Sequence, residues 1–528
     1  MTPISAQQLK PLLTDGDEIA FLDVRESGQY GEGHPFFSIP MPYSRLEHLA
    51  GRLLPCLSTR LVLMDDGDGV AERAARRLEA MGYQSVSILD GGASAWEAAG
   101  FTLFKGVHVP SKTFGELVEH EARTPTLTAQ ELQALMVRDK KVVVLDGRTP
   151  AEFRKMSLPG ALCCPNAELG YRIHSLLPDE STTVVINCAG RTRSIIGAEG
   201  LRAVRTKNPV YALENGTQGW CLAGFELVHG VDALPLPDPD AEQRSSMATL
   251  AKQLIAEHGL PMVSPETVKE WRQDESRTTY LLDVRTAEEF AAAHWQGARH
   301  APGGQLVQAT DQYVAVRNAR IILSDDIHLR AATTGMWLKG MAHDIYILDA
   351  DARSGVGRLE NAQESKLDGL INTNDLVEYI GAGAKLLDAS QSVAYRKAHI
   401  EGAHWVTRSR LDRLDANPGE RMLVTGQDEI LIDGVVTELK SLGYVDVKHC
   451  AGTPGQWSAA GLRVVASEAD PAESECIDYL FFVHDRHDGN LDAARRYLEW
   501  ETGLLKQLDA QEKSVLNPPC RRQTGEPE

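Results

Sequence analysis

The chain has 528 residues, 43% hydrophobic and 24% charged, with a net charge of −20 at neutral pH. That length is too great for one core and implies several domains of roughly 100–200 residues. The acidic balance excludes nucleic acid as a partner, because phosphate binding needs a basic face. No apolar run reaches the ~20 residues of a bilayer span, so no membrane partner is expected. The start, MTPISAQQLKPLL, lacks a basic segment followed by an apolar core, and the expected compartment is the cytoplasm.

A hydrophobic strand ending in Asp-x-Arg appears at Phe21–Arg25, Val144–Arg148 and Leu281–Arg285, with a worn copy at Leu386–Ser390. Each precedes a small turn, at Gly33-His34, Pro159-Gly160-Ala161, Gly297-Ala298 and Gly402-Ala403. Second strands follow at Leu61–Met64, Val184–Asn187, Ile321–Ser324 and Met422–Thr425. The Asp and the residue after the second strand lie 42 positions apart in three copies (Asp23 to Asp65, Asp146 to Cys188, Asp283 to Asp325). In the fourth the separation is 38 (Asp388 to Gly426). Helical stretches such as Ala71–Met81 and Ser194–Val204 come next, then a third strand and a Gly-rich turn leading to Trp96, Trp220 or Trp457. The third copy has no such Trp and runs through Asp349–Arg353 into a linker. Such recurrence marks one repeated unit.

Continuous apolar strands alternating with helices predict an α/β fold with a parallel sheet covered on both faces. Four tandem small open-sheet domains are therefore expected over 1–104, 125–228, 260–350 and 371–467, with a helical extension over 468–528. Linkers fall at 105–124, at 229–262 with a helix near Ser246–His258, and at 351–370. The extension carries an amphipathic helix over Asn490–Leu508 with polar residues of both signs. It is expected to dock on a domain of this chain or on a second subunit, giving a homo-oligomer through the tail, rather than on a membrane.

Ligands of open parallel sheets lie beyond the carboxyl ends of the strands. That points to the residue after each second strand: Asp65, Cys188, Asp325 and Gly426. Cys188 alone is a nucleophile there. Its loop, Cys188-Ala189-Gly190-Arg191-Thr192-Arg193, runs into Ser194 and a helix. Loop amides and a helix N-terminus favour an anion, and Arg191 and Arg193 add positive charge, so a lowered thiol pKa is expected. Gly190 is expected to supply a left-handed turn, and Thr192 or Ser194 to cap the helix. Asp146 and Arg148 are read as a pair supporting the strand end. The other three loops are acidic or lack a nucleophile.

Together the LDxR strand, the PGA turn, the loop cysteine and the Gly-rich turn before Trp resemble the rhodanese-like sulfurtransferase superfamily, over nearly the whole chain to about residue 467. The resemblance implies transfer of a sulfane sulfur through a Cys188 persulfide. The donor would be a small sulfur-containing anion such as thiosulfate, and the acceptor a thiol or a cyanide-like molecule. Some thiosulfate-using members carry Arg where this chain has Glu152. A phosphatase family of the same fold has one residue more between its Cys and Arg than separates Cys188 from Arg193. The other alternative is a non-catalytic scaffold, sulfur carrier or sensor, supported by the three loops without a nucleophile.

The eight cysteines contain no CxxC pair, and no metal or cofactor is expected. Cys450-Ala-Gly452 copies the letters of the loop but aligns with the turn before Trp, so it is read as structural. Cys163, Cys164 and Cys221 are read as packing, with a resolving thiol the alternative for the first two. Gly381-Ala-Gly383 precedes a strand and is no dinucleotide fingerprint. His484 and His487 are read as a solvated turn rather than metal ligands.

Overall fold

The computed structural model describes residues 2–138, 141–355, 368–484 and 490–519. Four parallel sheets follow one another along the chain. The second runs Thr126–Leu127, Val210–Leu213, Thr183–Asn187, Val142–Asp146, Leu162–Cys163 in spatial order. The first and third have the same five-stranded order. The fourth has four strands, and the missing edge is represented by a single parallel bridge from Leu370 to His449. Its second strand runs through Gly426, one residue further than the sequence suggested.

Strand register explains the constant spacing. Asp146 lies beside Asn187, Asp23 beside Met64, Asp283 beside Ser324 and Asp388 beside Thr425. In the first three units each Asp thus ends its strand level with the last residue before the loop that follows, and in the fourth the neighbouring strand runs one residue further. A second tie recurs in every unit. The turn after the third strand donates a backbone N–H to the carbonyl at the loop start: Ala93 to Asp65 (2.9 Å), Thr217 to Cys188 (2.8 Å), Ala352 to Asp325 (3.0 Å) and Gly452 to Gly426 (2.9 Å). The third unit therefore keeps the tie without the Trp.

The first three units share one continuous apolar core, while the fourth has its own clusters. The fourth docks on the first through Tyr43, whose hydroxyl donates to Glu438 (2.6 Å), and through buried Arg408, which donates to Glu47 (2.7 Å).

Two segments outside the sheets depart from expectation. The span 105–124 is not an open linker, because it folds into the helix Val109–Ala122, which packs on the helix after the Cys188 loop. Gly115 permits this approach, since a Cβ there would come within 2.7 Å of Thr192. The tail forms the helices Leu491–Thr502, Leu504–Gln507 and Ala510–Ser514. Its Leu504 and Leu508 are buried in the core of the first unit with Leu9, Trp96 and Phe104. The C-terminal part of the tail's apolar stripe is thus covered by this chain itself, while Leu491 at its start is exposed. His487, Asp488 and Cys520 lie outside the described residues. Among the described residues, no helix is long and apolar enough to cross a membrane.

Candidate active site

Cys188 follows the buried strand Thr183–Asn187 and precedes the helix Thr192–Ala203. Its side chain is buried in the lining of a cavity of about 570 Å³. Asp146 and Arg148 support the strand end as read from the sequence. Arg148 donates from Nε to Asp146 (2.9 Å) and from Nη2 to the Met156 carbonyl (2.5 Å), and Asn187 donates to Asp146 (3.0 Å). All three are buried, so the guanidinium's charge is balanced inside the wall and does not face the cavity.

The Ser194 hydroxyl lies 3.1 Å from Cys188 Sγ and 3.1 Å from the Arg191 carbonyl. It can donate to one of them at a time. With a thiol at 188 the S–H donates to Ser194, which donates onward to Arg191. With a thiolate the hydroxyl turns to the sulfur. Ser194 is therefore placed to donate to an anion at Cys188, and it does not cap the helix. Thr192 does not cap it either: its hydroxyl donates to Glu501 of the tail (3.1 Å), and the N-cap residue, Arg191, makes no side-chain cap bond.

Gly190 is not among the left-handed glycines. Its lack of a side chain serves close approach instead, since a Cβ would come within 2.9 Å of Glu501 Oε2. The left-handed positions are Asn215 (φ 59°) and Gly216 (φ 53°), in the turn behind the loop. A Cβ on Gly216 would lie 2.2 Å from the Cys188 carbonyl oxygen and 2.8 Å from that of Gly190. Gly216→Ala should therefore lower any activity that depends on the Cys188 loop by at least about tenfold and stability by about 1–3 kcal/mol. Steady-state turnover and urea denaturation of the variant measure the two effects, and unchanged turnover would show that the loop does not depend on this turn.

The loop arginines are both paired with carboxylates. Arg191 donates to Glu116 (2.8 and 3.1 Å) and to Glu119, and Arg193 donates to Glu152 (2.6 and 2.7 Å) and Gln305 (3.1 Å). Burial would lower both guanidinium pKa values, but the carboxylates hold them above the ordinary range. Glu152, opposed by burial but held by Arg193, stays down at about 2. Glu116 is pushed up to about 7 by burial, with Glu501 and Glu119 adding repulsion against the pull of Arg191. Both arginines are thus held by carboxylates of the fold, while Arg193 keeps an electrostatic attraction to Cys188. The Ser194 hydroxyl and the amides of residues 190–194, which meet no protein acceptor among the described residues, are further groups that favour an anion.

The silent loops differ in a way that composition did not show. In the first unit the Asp65 carboxylate accepts the amides of Gly67 and Ala71, both at 2.9 Å. In the third, Asp325 accepts the amide of Arg330 (2.8 Å) and its Nε (2.9 Å). Each Asp fills with its own side chain the anion nest that is open beside Cys188. Cys163 is pushed up to about 12 by burial and nearby Asp146, and burial pushes Cys164 well above the ordinary thiol value. Both are poor thiolates, as packing residues should be. Cys450 is buried in a strand beside Trp457.

The repeated parallel sheets and the strand–loop–helix nest define a rhodanese fold. The rhodanese-like domain family model matches residues 5–99, 128–223 and 264–353, and the chain belongs to that family. Over 99% of its length it is 37% identical to a thiosulfate sulfurtransferase from Pseudomonas aeruginosa, covering 100% of that chain with a TM-score of 0.90. The Alr3790 protein from Anabaena sp. is 30% identical over 20% of this chain and 93% of its own (TM-score 0.19). An anaerobic ergothioneine biosynthesis enzyme from Chlorobium limicola is 14% identical over 67% of this chain and 96% of its own (TM-score 0.22). No curated protein matches the sequence.

Proposed function

We propose that the protein is a sulfurtransferase in which Cys188 carries the sulfur as a persulfide, with residues 189–194 as its binding loop and Asp146 and Arg148 as supports. One observation carries this reading. Of the four loops at equivalent strand ends, the Cys188 loop combines a nucleophile with amides open to an anion, while Asp65 and Asp325 close theirs. The likeness to a thiosulfate sulfurtransferase supports thiosulfate as a donor.

In the first half-reaction the Cys188 thiolate attacks the outer sulfur of thiosulfate. A Cys188 S–S bond forms, the S–S bond of thiosulfate breaks, and sulfite leaves with the electron pair. The persulfide anion is held by Ser194 and the loop amides. In the second half-reaction a thiolate or cyanide attacks the terminal sulfur, and the Cys188 thiolate is regenerated. No net oxidant or reductant is needed.

The remaining units form walls. We read the fourth sheet as a worn copy of the same unit. Tyr30 of the first unit, Gln305 of the third, Gln391 of the fourth and Tyr497 of the tail all line the cavity. Intact mass after incubation with thiosulfate should show one added sulfur, located on Cys188 and removed by cyanide as thiocyanate. Sulfur on another residue, or none with any donor, would overturn the reading.

Asp65→Cys should not create a second site, although it places a thiol at the equivalent position. The substitution removes the acceptor of two amides and leaves Asp66 and Asp68 in the loop. We expect no persulfide on residue 65 and a stability loss of about 1–3 kcal/mol. Peptide mapping after thiosulfate treatment checks the first outcome, and added sulfur at position 65 would show that a nucleophile alone suffices.

A further inference from the structure

The cavity beside Cys188 has a surplus of negative charge that the proposed transfer from an anionic donor does not explain. Glu501 belongs to the tail helix Leu491–Thr502, more than 300 residues along the chain from the loop it touches. It is 2% exposed. Its Oε1 accepts from Thr192, whereas its Oε2 has no hydrogen-bond partner and rests against Gly190, the one loop residue whose missing side chain leaves room for it. Around Arg191, one guanidinium faces Glu116, Glu119 and Glu501. Arg193 is paired with Glu152 and also donates to Gln305. Lys112, which also lines the cavity, donates to Tyr497 (2.6 Å) one turn before Glu501 and stacks on Trp500. Among the other lining residues Asp311, paired to His108 through Oδ1 (2.7 Å), leaves a buried Oδ2 without a partner, and Gln308 leaves its Oε1 likewise.

Unpartnered buried acceptors from both the tail and the third unit call for a ligand rich in donors, because each costs desolvation free energy until it is met. The space is also many times that of an inorganic anion. We propose that the cavity receives an ammonium-bearing thiol as sulfur acceptor, and that Glu501 selects it by charge. This rests on the persulfide reading of Cys188. The acceptor's thiolate attacks the terminal sulfur of the Cys188 persulfide. A new S–S bond forms on the acceptor, the Cys188 S–S bond breaks, and the Cys188 thiolate takes the electron pair while the ammonium stays protonated against Glu501. The same carboxylate opposes the entry of thiosulfate, so its removal acts in opposite directions on the two half-reactions.

The test uses the full chain with three small acceptors of similar size: cysteamine, 2-mercaptoethanol and mercaptoacetate. The persulfide is loaded from thiosulfate and followed by mass. Wild-type protein should discharge fastest to cysteamine and slowest to mercaptoacetate after correction for each thiol's pKa. Glu501→Gln should narrow the cysteamine-to-mercaptoacetate ratio by about tenfold and load faster from thiosulfate, and Glu501→Asp should retain most of the wild-type ratio. A ratio unchanged in Glu501→Gln overturns the proposal. A measurement on wild-type protein alone guards against a misfolded variant: Cys188 should react faster with an ammonium-bearing methanethiosulfonate than with a sulfonate-bearing one, relative to a free thiol. The reverse preference also overturns it. Failure of Cys188 to load at all would instead sink the persulfide reading, so the two failures are distinguishable.

Discussion

Replacing Cys188 with alanine is expected to lower sulfur transfer by at least about 10⁴-fold, because the nucleophile has no substitute within the site. The nearest other thiols in the sequence, Cys163 and Cys164, are held protonated by burial. Equivalent positions elsewhere carry Asp65, Asp325 and Gly426. The change removes one buried sulfur from a site that opens on a cavity, so stability should fall by only about 1 kcal/mol. Turnover with thiosulfate and cyanide, together with the thermal midpoint, separates the two effects. Substantial turnover by a folded Cys188→Ala protein would falsify the assignment of a single nucleophile.

The largest effect on stability is expected at Arg330. Its guanidinium is fully buried where the second and third units meet. It donates to Asp325 (2.9 Å), Asp326 (3.0 Å), Glu289 (2.7 Å) and, across the boundary, Glu168 (2.9 Å). It also lies over the ring of Tyr171 at 4.1 Å. Arg330→Met keeps most of the volume but leaves Asp325 without its cation and takes one of two from Asp326, Glu168 and Glu289, which keep Arg244 or Arg172. Breaking such a network by removing one partner costs about 3–5 kcal/mol. Burial pushes the Asp325 carboxyl up even with Arg330 beside it, and loss of the arginine should raise it further. A carboxyl whose folded pKa is raised contributes stability that is complete below its unfolded pKa and is lost as the pH rises through the folded one. The deficit of the variant should therefore be smallest in acid and grow toward neutral pH. Urea denaturation at pH 5 and pH 7.5 reads this directly. A loss below about 1 kcal/mol, or a larger loss at pH 5, would show that the network does not hold the two units together.

The repeat, its parallel sheets and the position of Cys188 could be read from the sequence because local patterns encode them. A buried parallel strand needs a run of apolar residues, and the Asp that ends it lies level with the next loop at fixed spacing, as Asp146 does with Asn187. The support of the strand end by Asp146 and Arg148 was readable for the same reason, since the partners are two residues apart. The electrostatics of the site was not readable. Arg191 and Arg193 look like free positive charge in the chain order, and only the fold brings Glu116, Glu119 and Glu152 against them. Nor did the letters of the silent loops show that Asp65 and Asp325 turn inward and take up their own loop amides. Gly190 shows the limit most clearly. Its value lies in an approach by Glu501, and that contact forms only because the tail buries Leu504 and Leu508 in the first unit. Long-range packing chooses which charges meet, and in a buried site that choice decides which ligand is welcome.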